Sequence, residues 1–333
     1  QVSYSKPELI NNLIESKEGG IVLLSSGSTG KPKAILHSTK RLLSKYQYSK
    51  KTYKTLAFLL FDHIAGLDTL FYTFFSGGCL VSLKDREPVT VIEALKKHCV
   101  EVLPTTPSFI NFLLYEDKFC PEFLKDLKII TFGSERILDS TLINIKKRFG
   151  DKVTISQKYG LTELGSPIVK SKPDDPLWIK IDTRNTEYKI ENDILFLKSN
   201  SSMVGYIHED RCERFDGWFN TEDKVETDGE WIKILGRVTD IINVGGQKVY
   251  PAEVESVLSE IENIKEVTIF SVNNPIMGKV VAARVLLFEN ETLPELKKKV
   301  RSFCRERLEP YKIPAHIEIV TNNHMNERFK KVR

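Results

Sequence analysis

The chain has 333 residues, of which 41% are hydrophobic and 28% charged, and this is the composition of a globular protein with more than one core. Its 49 basic and 45 acidic residues give a formal charge of only +4, which argues against nucleic acid as a partner, although residues 328–333 are locally basic. Apolar runs such as 56–61 are too short to span a membrane. Five widely spaced cysteines without a CxxC pair favour reduced thiols in a cytoplasmic protein over disulfides or a zinc site.

The first half of the chain alternates between short apolar runs and helical patterns. The predicted strands are VLLSS (22–26), AFLLF (57–61), CLVSL (79–83), VEVLP (100–104), LKIITFG (127–133) and KVTISQ (152–157). The predicted helices lie near 38–48, 64–75, 88–98, 107–115 and 139–148. This rhythm predicts an α/β fold in which helices cover a largely parallel sheet.

From Glu187 onward, the pattern of alternating strands and helices gives way to short strands only. Short strand patterns with turn residues between them, EYKI, ILFLKS, KVET and EWIKIL, predict a small antiparallel β module at about 177–235. Beyond Gly236, strand patterns at 240–244, 267–272, 280–288 and 316–320 accompany amphipathic helices from 251 and around 296–308. We therefore predict two domains, 1–235 and 236–333, with the boundary near 236–240.

The stretch 20–34, GIVLLSSGSTGKPKA, predicts a strand that leads into a phosphate-binding loop. Glycines let backbone N–H groups approach an anion, while hydroxyl groups and lysines add donors and charge. The spacing differs from the common nucleotide loop, which has four residues between its glycines. A flexible polar turn is the alternative interpretation. The residues assigned to the loop are Ser25, Ser26, Gly27, Ser28, Thr29, Gly30, Lys31 and Lys33.

Two more polar stretches, TFGSE (131–135) and QKYGLTE (157–163), follow predicted strands. Ligands bind at the strand ends of open α/β sheets. A tyrosine offers a flat face to a base, a threonine hydroxyl can donate to a phosphate, and a carboxylate can hold a magnesium ion that bridges phosphates. Taken alone, TFGSE is equally compatible with a plain tight turn, and QKYGLTE is more typical of a loop with a solvated Thr-Glu pair.

The segments GWFNTED (217–223) and GRVTDIINVGGQKVYP (236–251) place an Asp before the predicted domain boundary and an Arg just after it. We expect this Asp and Arg to bind the two hydroxyls of a ribose from opposite domains. The last motif is the tail NERFKKVR (326–333), whose alternative interpretation is a solvated basic terminus.

Together these stretches resemble the AMP-forming adenylate synthetases, a superfamily of acyl-CoA synthetases, nonribosomal adenylation domains and beetle luciferases. The resemblance implies a large layered α/β domain, truncated at its N-terminus, with a small antiparallel β module and a mobile C-terminal α+β lid. It implies an ATP- and Mg²⁺-dependent ligase: a carboxylate attacks the α-phosphate to give acyl-AMP and pyrophosphate, and the thiol of CoA or of a carrier-protein phosphopantetheine then displaces AMP. The family has roughly a hundred more residues before the phosphate loop, so the chain is either a fragment or a short form.

The resemblance also assigns roles by position. The loop 25–33 would hold the β- and γ-phosphates, the GSE segment would line the adenine, and His63 would lie near the acyl pocket, for which a structural role is the alternative. The residues assigned to catalysis are Lys330, Thr162 for the α-phosphate, Glu163 for magnesium, and His63. The further residues assigned to nucleotide or acceptor binding are Gly133, Ser134, Glu135, Tyr159 (stacking on adenine), Gly160, Asp223 and Arg237 (ribose), Gly245 and Gly246.

Some positions depart from the family pattern. Thr239 stands where the lid hinge usually has Asp or Lys, and Phe329 stands where Gly usually precedes the catalytic lysine, which leaves Lys331 as a rival of Lys330. Within the class, an enzyme that delivers only to a carrier protein is the nearest alternative. Outside it, the alternative is a catalytically silent or regulatory nucleotide-binding relative, which exchange between ATP and pyrophosphate would distinguish.

Overall fold

A computed structural model describes residues 3–4, 6–26, 32–47, 51–207, 212–215, 217–275 and 277–321. Several predicted site residues lie outside these ranges, namely Gly27, Ser28, Thr29, Gly30, Lys31 and Lys330 with its rival Lys331.

The secondary structure of the described ranges follows in chain order. The strands are β1 (Ser3–Tyr4), β2 (Gly20–Ser26), β3 (Pro32–Ser38), β4 (Lys54–Leu56), β5 (Cys79–Val81), β6 (Val102–Thr105), β7 (Ile129–Phe132), β8 (Thr154–Gln157), β9 (Val169–Ser171), β10 (Trp178–Ile181), β11 (Thr186–Glu191), β12 (Ile194–Ser199), β13 (Gly205–Ile207), β14 (Cys212–Arg214), β15 (Phe219–Asp228), β16 (Trp231–Arg237), β17 (Ile242–Val244), β18 (Gln247–Val249), β19 (Ile264–Asn274), β20 (Gly278–Leu287) and β21 (His316–Val320). The α-helices are α1 (Lys6–Glu15), α2 (Thr39–Leu43), α3 (Ile64–Phe75), α4 (Pro88–Lys97), α5 (Pro107–Leu114), α6 (Asp139–Phe149), α7 (Pro251–Leu258) and α8 (Leu293–Cys304). Short 3-10 helices lie at Ser44–Tyr46, Gly150–Lys152, Val238–Asp240 and Pro310–Lys312.

The sheet that carries the site is five-stranded and parallel, in the order β5-β4-β6-β7-β8. Helices α3 to α6 alternate with its strands, and the core between them includes Phe58, Leu103 and Phe109. This confirms the predicted α/β rhythm. Because β6, β7 and β8 are parallel, the residues that follow them all lie at one edge of the sheet, where ligands of open α/β folds bind.

Two predicted strands of this sheet are corrected. VLLSS belongs to β2, which pairs antiparallel with β3 in a separate sheet, β1-β14-β13-β3-β2, because the loop between them is a hairpin connection. The strand β3 was missed, and the helix predicted near 38–48 is shortened to α2 and a 3-10 turn. The run AFLLF follows β4 instead of forming a strand. It is apolar because Phe58 packs on Phe109, with 4.3 Å between ring centroids.

The predicted antiparallel β module is present as a six-stranded sheet, β11-β12-β15-β16-β10-β9, which runs from Val169 to Arg237 instead of 177–235. Strands β13 and β14 fall within the predicted bounds but belong to the sheet of β2 and β3. The last sheet has the order β18-β17-β20-β19, with β21 parallel to β20, and α7 and α8 cover it through Val254, Leu258 and Val300. Strand β16 reaches Arg237, and the 3-10 helix Val238–Asp240 leads from it into this last sheet. We propose that this 3-10 helix is the boundary between two units.

The two proposed units contact each other. The Tyr115 hydroxyl donates to the Lys265 carbonyl at 2.8 Å, and the hydroxyls of Ser140 and Ser259 lie 2.8 Å apart. Among the helices that the structure describes, none has both the length and the hydrophobicity needed to cross a bilayer. The cysteines whose side chains are described, Cys79, Cys99, Cys120 and Cys304, are free thiols.

Candidate active site

Two adjoining cavities open at the carboxyl edge of the parallel sheet. The large cavity, of about 270 Å³, lies between the ends of β7, β8 and β16 and the start of α7. The small cavity, of about 60 Å³, lies between the start of α3 and the ends of β6 and β7. Their common wall is formed by Ser134, Lys158, Tyr159 and Gly160. Predicted site residues therefore border both spaces.

Tyr159, Asp223 and Arg237 form a charged cluster in the wall of the large cavity. The Tyr159 hydroxyl donates to Asp223 Oδ2 at 2.5 Å, and Arg237 Nε lies 3.7 Å from Asp223 Oδ1. Burial raises the pKa of Asp223, whereas the Tyr159 hydrogen bond and the Arg237 charge lower it. The cluster thus offers an acceptor and a cation to one side of the cavity.

The expectation that Asp223 and Arg237 come from opposite domains is wrong. The two residues are register partners on the neighbouring antiparallel strands β15 and β16 of one sheet. Their spacing is therefore set by strand pairing and does not depend on how the two units are placed relative to each other.

The residues predicted to line the adenine follow β7 directly. Ser134 and Glu135 line the large cavity, and Glu135 Oε2 accepts a hydrogen bond from Ser108 Oγ at 2.7 Å. A Cβ at Gly133 would lie 2.8 Å from the Lys158 carbonyl oxygen, so only glycine allows β7 and β8 to end this close together. The segment is held tightly against the loop that follows β8.

The α-phosphate candidate, Thr162, is supported by a histidine that sequence reasoning missed. His37 on β3 donates from Nε2 to the Thr162 carbonyl at 2.7 Å, since a carbonyl oxygen only accepts. The His37 side chain is fully buried, and this burial lowers its pKa to about 4. It is therefore neutral at pH 7. The only signal in the sequence was a histidine within an apolar run just after the predicted loop.

A second missed residue, Tyr206, joins the phosphate-loop hairpin to Glu163. The Tyr206 hydroxyl donates to Glu163 Oε1 at 3.2 Å, and Lys33 Nζ lies 5.6 Å from the Tyr206 ring centroid. Strand pairing makes this possible, because Tyr206 pairs with Ile35 on β3. On the hairpin itself Ser25 pairs with Lys33, and Ser26 pairs with Pro32. The connection 27–31 therefore starts and ends beside this strand pair.

Glu163 is suited to a metal that also binds phosphate. It is half-buried, and in the described residues no hydrogen bond reaches its Oε2. The described part of the chain holds no cluster of three or more His, Cys, Asp or Glu that would form a complete metal cage. Mg²⁺ at phosphate sites is commonly held by one or two carboxylates together with the phosphates, so a lone Glu163 fits this donor set.

His63, which was expected to lie near an acyl pocket, lies in the wall of the small cavity. It also caps α3, because its Nδ1 accepts from the Ala65 N–H at 3.2 Å. Among the neighbouring residues, Ser166 lines the small cavity, whereas Pro107 lines the large one and Thr106 caps α5. A functional role for His63 stays a prediction.

Gly245 and Gly246 are not brought to the cavities. They form the two-residue turn between β17 and β18, with φ of +56° and +91°, which suits a hairpin turn that needs glycine. The parts of the C-terminal unit that do line the large cavity are Asp240 and Ile241 at the proposed boundary, Tyr250, and the start of α7. The roles predicted for Gly245, Gly246 and Lys330 therefore stay predictions.

Two family models match the chain. The model of the AMP-binding enzyme matches residues 13–195, and that of the AMP-binding enzyme C-terminal domain matches residues 253–330. A similar curated protein is the 2-succinylbenzoate–CoA ligase of Bacillus velezensis, with 30% identity over 319 residues that cover 88% of this chain and 63% of that protein.

Solved structures with the same fold include two CoA ligases. The anthranilate CoA ligase AuaEII in complex with anthranoyl-AMP has a TM-score of 0.79 and 22% identity over 93% of this chain and 65% of that one. The o-succinylbenzoate CoA synthetase from Bacillus subtilis, in complex with its acyl-adenylate intermediate, has a TM-score of 0.73 and 25% identity over 92% and 66%. The chain thus spans less than two thirds of the length of these relatives.

Proposed function

This chain belongs to the AMP-binding enzyme family, and from that premise we propose that it is an ATP-dependent acid–thiol ligase of the acyl-CoA synthetase type. The observation that carries the proposal is the Tyr159–Asp223–Arg237 cluster in the wall of the large cavity, at the carboxyl edge of the sheet. Such an edge is where open α/β sheets bind nucleotides. The proposed reaction is adenylation of a small carboxylic acid, followed by thioester formation.

The large cavity would hold the adenosine of ATP. The adenine would lie beside Ser134 and Glu135, with the Tyr159 ring against its face. The hydrogen bond between Tyr159 and Asp223 restrains that ring. The Asp223 carboxylate would accept a hydrogen bond from a ribose hydroxyl, and the Arg237 guanidinium would donate one.

The phosphates would lie between the β2–β3 hairpin and the loop after β8. In the first step an oxygen of the substrate carboxylate forms a bond to the α-phosphorus, and the bond from that phosphorus to the pyrophosphate oxygen breaks. Negative charge builds on the phosphate oxygens during this displacement, so Lys33, the loop 27–31 and Lys330 would stabilise it. Mg²⁺, held by Glu163 and the phosphates, would neutralise part of the same charge.

In the second step a thiolate attacks the acyl carbonyl carbon and AMP leaves. The acceptor would be CoA or the phosphopantetheine of a carrier protein. Free thiols at every cysteine whose side chain is described are compatible with a cytoplasmic location, which is part of the proposal.

Exchange of labelled pyrophosphate into ATP, measured with a panel of carboxylic acids, tests the first step. We expect acid-dependent exchange that Asp223→Asn weakens through a higher KM for ATP, whereas the exposed control Asp126→Asn leaves it unchanged. ATP binding without exchange for any acid would instead favour a catalytically silent nucleotide-binding relative.

A separate assay tests the acceptor. The purified protein is given a productive acid and ATP with either CoA or a phosphopantetheinylated carrier protein, and thioesters are detected by mass spectrometry. A product with CoA assigns an acyl-CoA synthetase. A product with the carrier alone assigns the carrier-specific alternative.

A further inference from the structure

Lys158 stands in the wall between the two cavities. It directly follows β8, and its backbone N–H donates to the Phe132 carbonyl at 2.7 Å, which fixes the backbone at this position. Its side chain is exposed to both cavities. In the described part of the chain, its ammonium group has no hydrogen-bond or ion-pair partner. Lys158 is therefore a cation in the common wall of the two cavities that shares the Asp68 charge with Lys45 and has no direct partner among the described residues.

The nearest charged groups are already paired with each other. The buried Lys45 ammonium donates to the Asp68 carboxylate and, at 2.5 Å, to the Ser166 carbonyl. The Tyr46 hydroxyl donates to the same Asp68 carboxylate. Burial would raise the pKa of Asp68, but the positive charges of Lys45 and Lys158 hold it below its usual value. Asp68 is thus ionised and paired with Lys45.

The charge balance of the cluster leaves one positive charge on Lys158. Two ammonium groups, Lys45 and Lys158, interact with one carboxylate, Asp68. The side chain of Lys158 borders cavity solvent, and neighbouring protein atoms partly bury its ammonium group. This burial lowers the pKa of Lys158, while Asp68 raises it. An anionic ligand in the small cavity would supply the missing partner.

The small cavity also limits the length of an acyl chain. Its volume of about 60 Å³ is well below the ~300–1,000 Å³ of pockets for drug-sized ligands. Apolar side chains such as Leu59, Ile64 and Phe132 line it together with Lys158 and Asp68. The space therefore suits a chain of a few heavy atoms with a charged end.

We propose that Lys158 determines acid specificity by binding the second anionic group of a short diacid whose first carboxylate is adenylated at the junction of the two cavities. This inference rests on the proposed function and adds the substrate class. A monoacid of equal length would fill the same space and leave the Lys158 ammonium unpaired and further desolvated. A site that loses a charge partner in this way rejects the analogue strongly, so we expect discrimination of ~10²-fold or more.

The test compares diacids and monoacids of matched length in the pyrophosphate exchange assay. Malonate, succinate and glutarate are paired with propionate, butyrate and valerate, and 2-succinylbenzoate serves as a bulky diacid. We expect the wild-type protein to prefer a short diacid in kcat/KM by ~10²-fold or more. Lys158→Met should remove most of that preference without changing the KM for ATP, whereas the exposed control Lys147→Met should keep it.

The results that would overturn this inference differ from the result that would overturn the proposed function. An equal loss for diacid and monoacid in Lys158→Met would assign Lys158 to the phosphates or the reacting carboxylate and overturn the inference. A preference for 2-succinylbenzoate over every short diacid would overturn it as well. If no acid supports exchange, the proposed function fails, and calorimetric titration of glutarate and valerate with a non-hydrolysable ATP analogue decides the inference alone. Binding of glutarate that depends on Lys158 would support it, and equal or absent binding of the two acids would overturn it.

Discussion

At the scale of single residues, the loop after β8 is held from two directions by residues of other elements. His37 on β3 supports the Thr162 carbonyl, and Tyr206 on β13 supports the Glu163 carboxylate. Both supports belong to the antiparallel sheet that also carries the phosphate-loop hairpin. The residues proposed to bind the α-phosphate and Mg²⁺ therefore keep a defined position relative to that hairpin.

The first prediction concerns Glu163. Glu163→Gln keeps an acceptor oxygen for the Tyr206 hydroxyl but removes the charge proposed to bind Mg²⁺. We expect exchange activity to fall by ~10²-fold or more, with a higher Mg²⁺ requirement and an unchanged melting temperature. Glu226→Gln, on an exposed strand position, is the control. Full activity in Glu163→Gln would remove Glu163 from the proposed metal site.

The second prediction follows from the buried imidazole. The pKa of His37 is lowered to about 4 from 6.5, so between these values the unfolded chain binds a proton that the folded protein does not. Stability from this group is complete above pH 6.5 and is lost as the pH falls toward 4, by about 3 kcal/mol in total. His37→Gln keeps an N–H donor for the Thr162 carbonyl without titrating. Denaturant unfolding across pH 4–7 should show a flatter pH dependence for this variant, and equal slopes would contradict the prediction.

At the scale of elements, the small cavity depends on how closely α3 packs on the segment before it. A Cβ at Gly66 would lie 2.0 Å from the Leu60 carbonyl oxygen, which is a backbone atom that cannot rotate away. Leu59 and the first turn of α3 line the small cavity together. Glycine at 66 therefore sets the width of the proposed acyl site.

The third prediction is that Gly66→Ala forces α3 away from Leu60. We expect a loss of about 1–3 kcal/mol in the free energy of unfolding, as for other overpacked sites, together with a changed rank order of acids in the exchange assay. Asn144→Ala on the exposed face of α6 is the control and should stay within about 0.5 kcal/mol of wild type. Unchanged stability and acid preference would show that the packing at Gly66 is looser than the structure indicates.

At the scale of the whole molecule, one C-terminal unit carries residues proposed for both adenylation and thioester formation. The resemblance assigns both the Lys330 tail and the Gly245–Gly246 turn to the site, but in this arrangement the start of α7 lines the large cavity. We propose that the unit rotates about the 3-10 helix Val238–Asp240. Residues at such a hinge absorb large changes in φ and ψ.

The fourth prediction tests that hinge. Thr239 is the second residue of the 3-10 helix. The φ typical of a 3-10 helix, about −50 to −70°, suits proline, and the N–H at this position is not needed within the helix. Thr239→Pro should therefore fold with a nearly unchanged melting temperature and favour the present arrangement. We expect one half-reaction, acyl-AMP formation or thiol transfer from preformed acyl-AMP, to stay near normal while the other is lost. Survival of both half-reactions would contradict a hinge at this position.

Much of the fold was readable from the sequence because its signals are local. Helix α3 begins and ends at the predicted residues, 64 and 75, since its apolar spacing and the cap at His63 lie within the segment. The order of polar motifs after β7 and β8 placed the candidate site at one edge of a parallel sheet, because parallel strands carry their carboxyl ends to the same side. The sequence by itself thus determined the fold class and the family, and it indicated the approximate location of the candidate site.

The tertiary structure decided which side chains meet. His37 and Thr162 are 125 positions apart, and no local pattern encodes their hydrogen bond. Strand pairing placed Asp223 beside Arg237 on one sheet. Antiparallel pairing with β3 likewise made VLLSS one strand of a hairpin, where the sequence predicted a strand of the parallel sheet. Lys158 lacks a direct partner because the neighbouring Asp68 carboxylate is hydrogen-bonded to Lys45. Such contacts depend on long-range packing, in which the energy of a side chain is set by neighbours that lie far away in the chain.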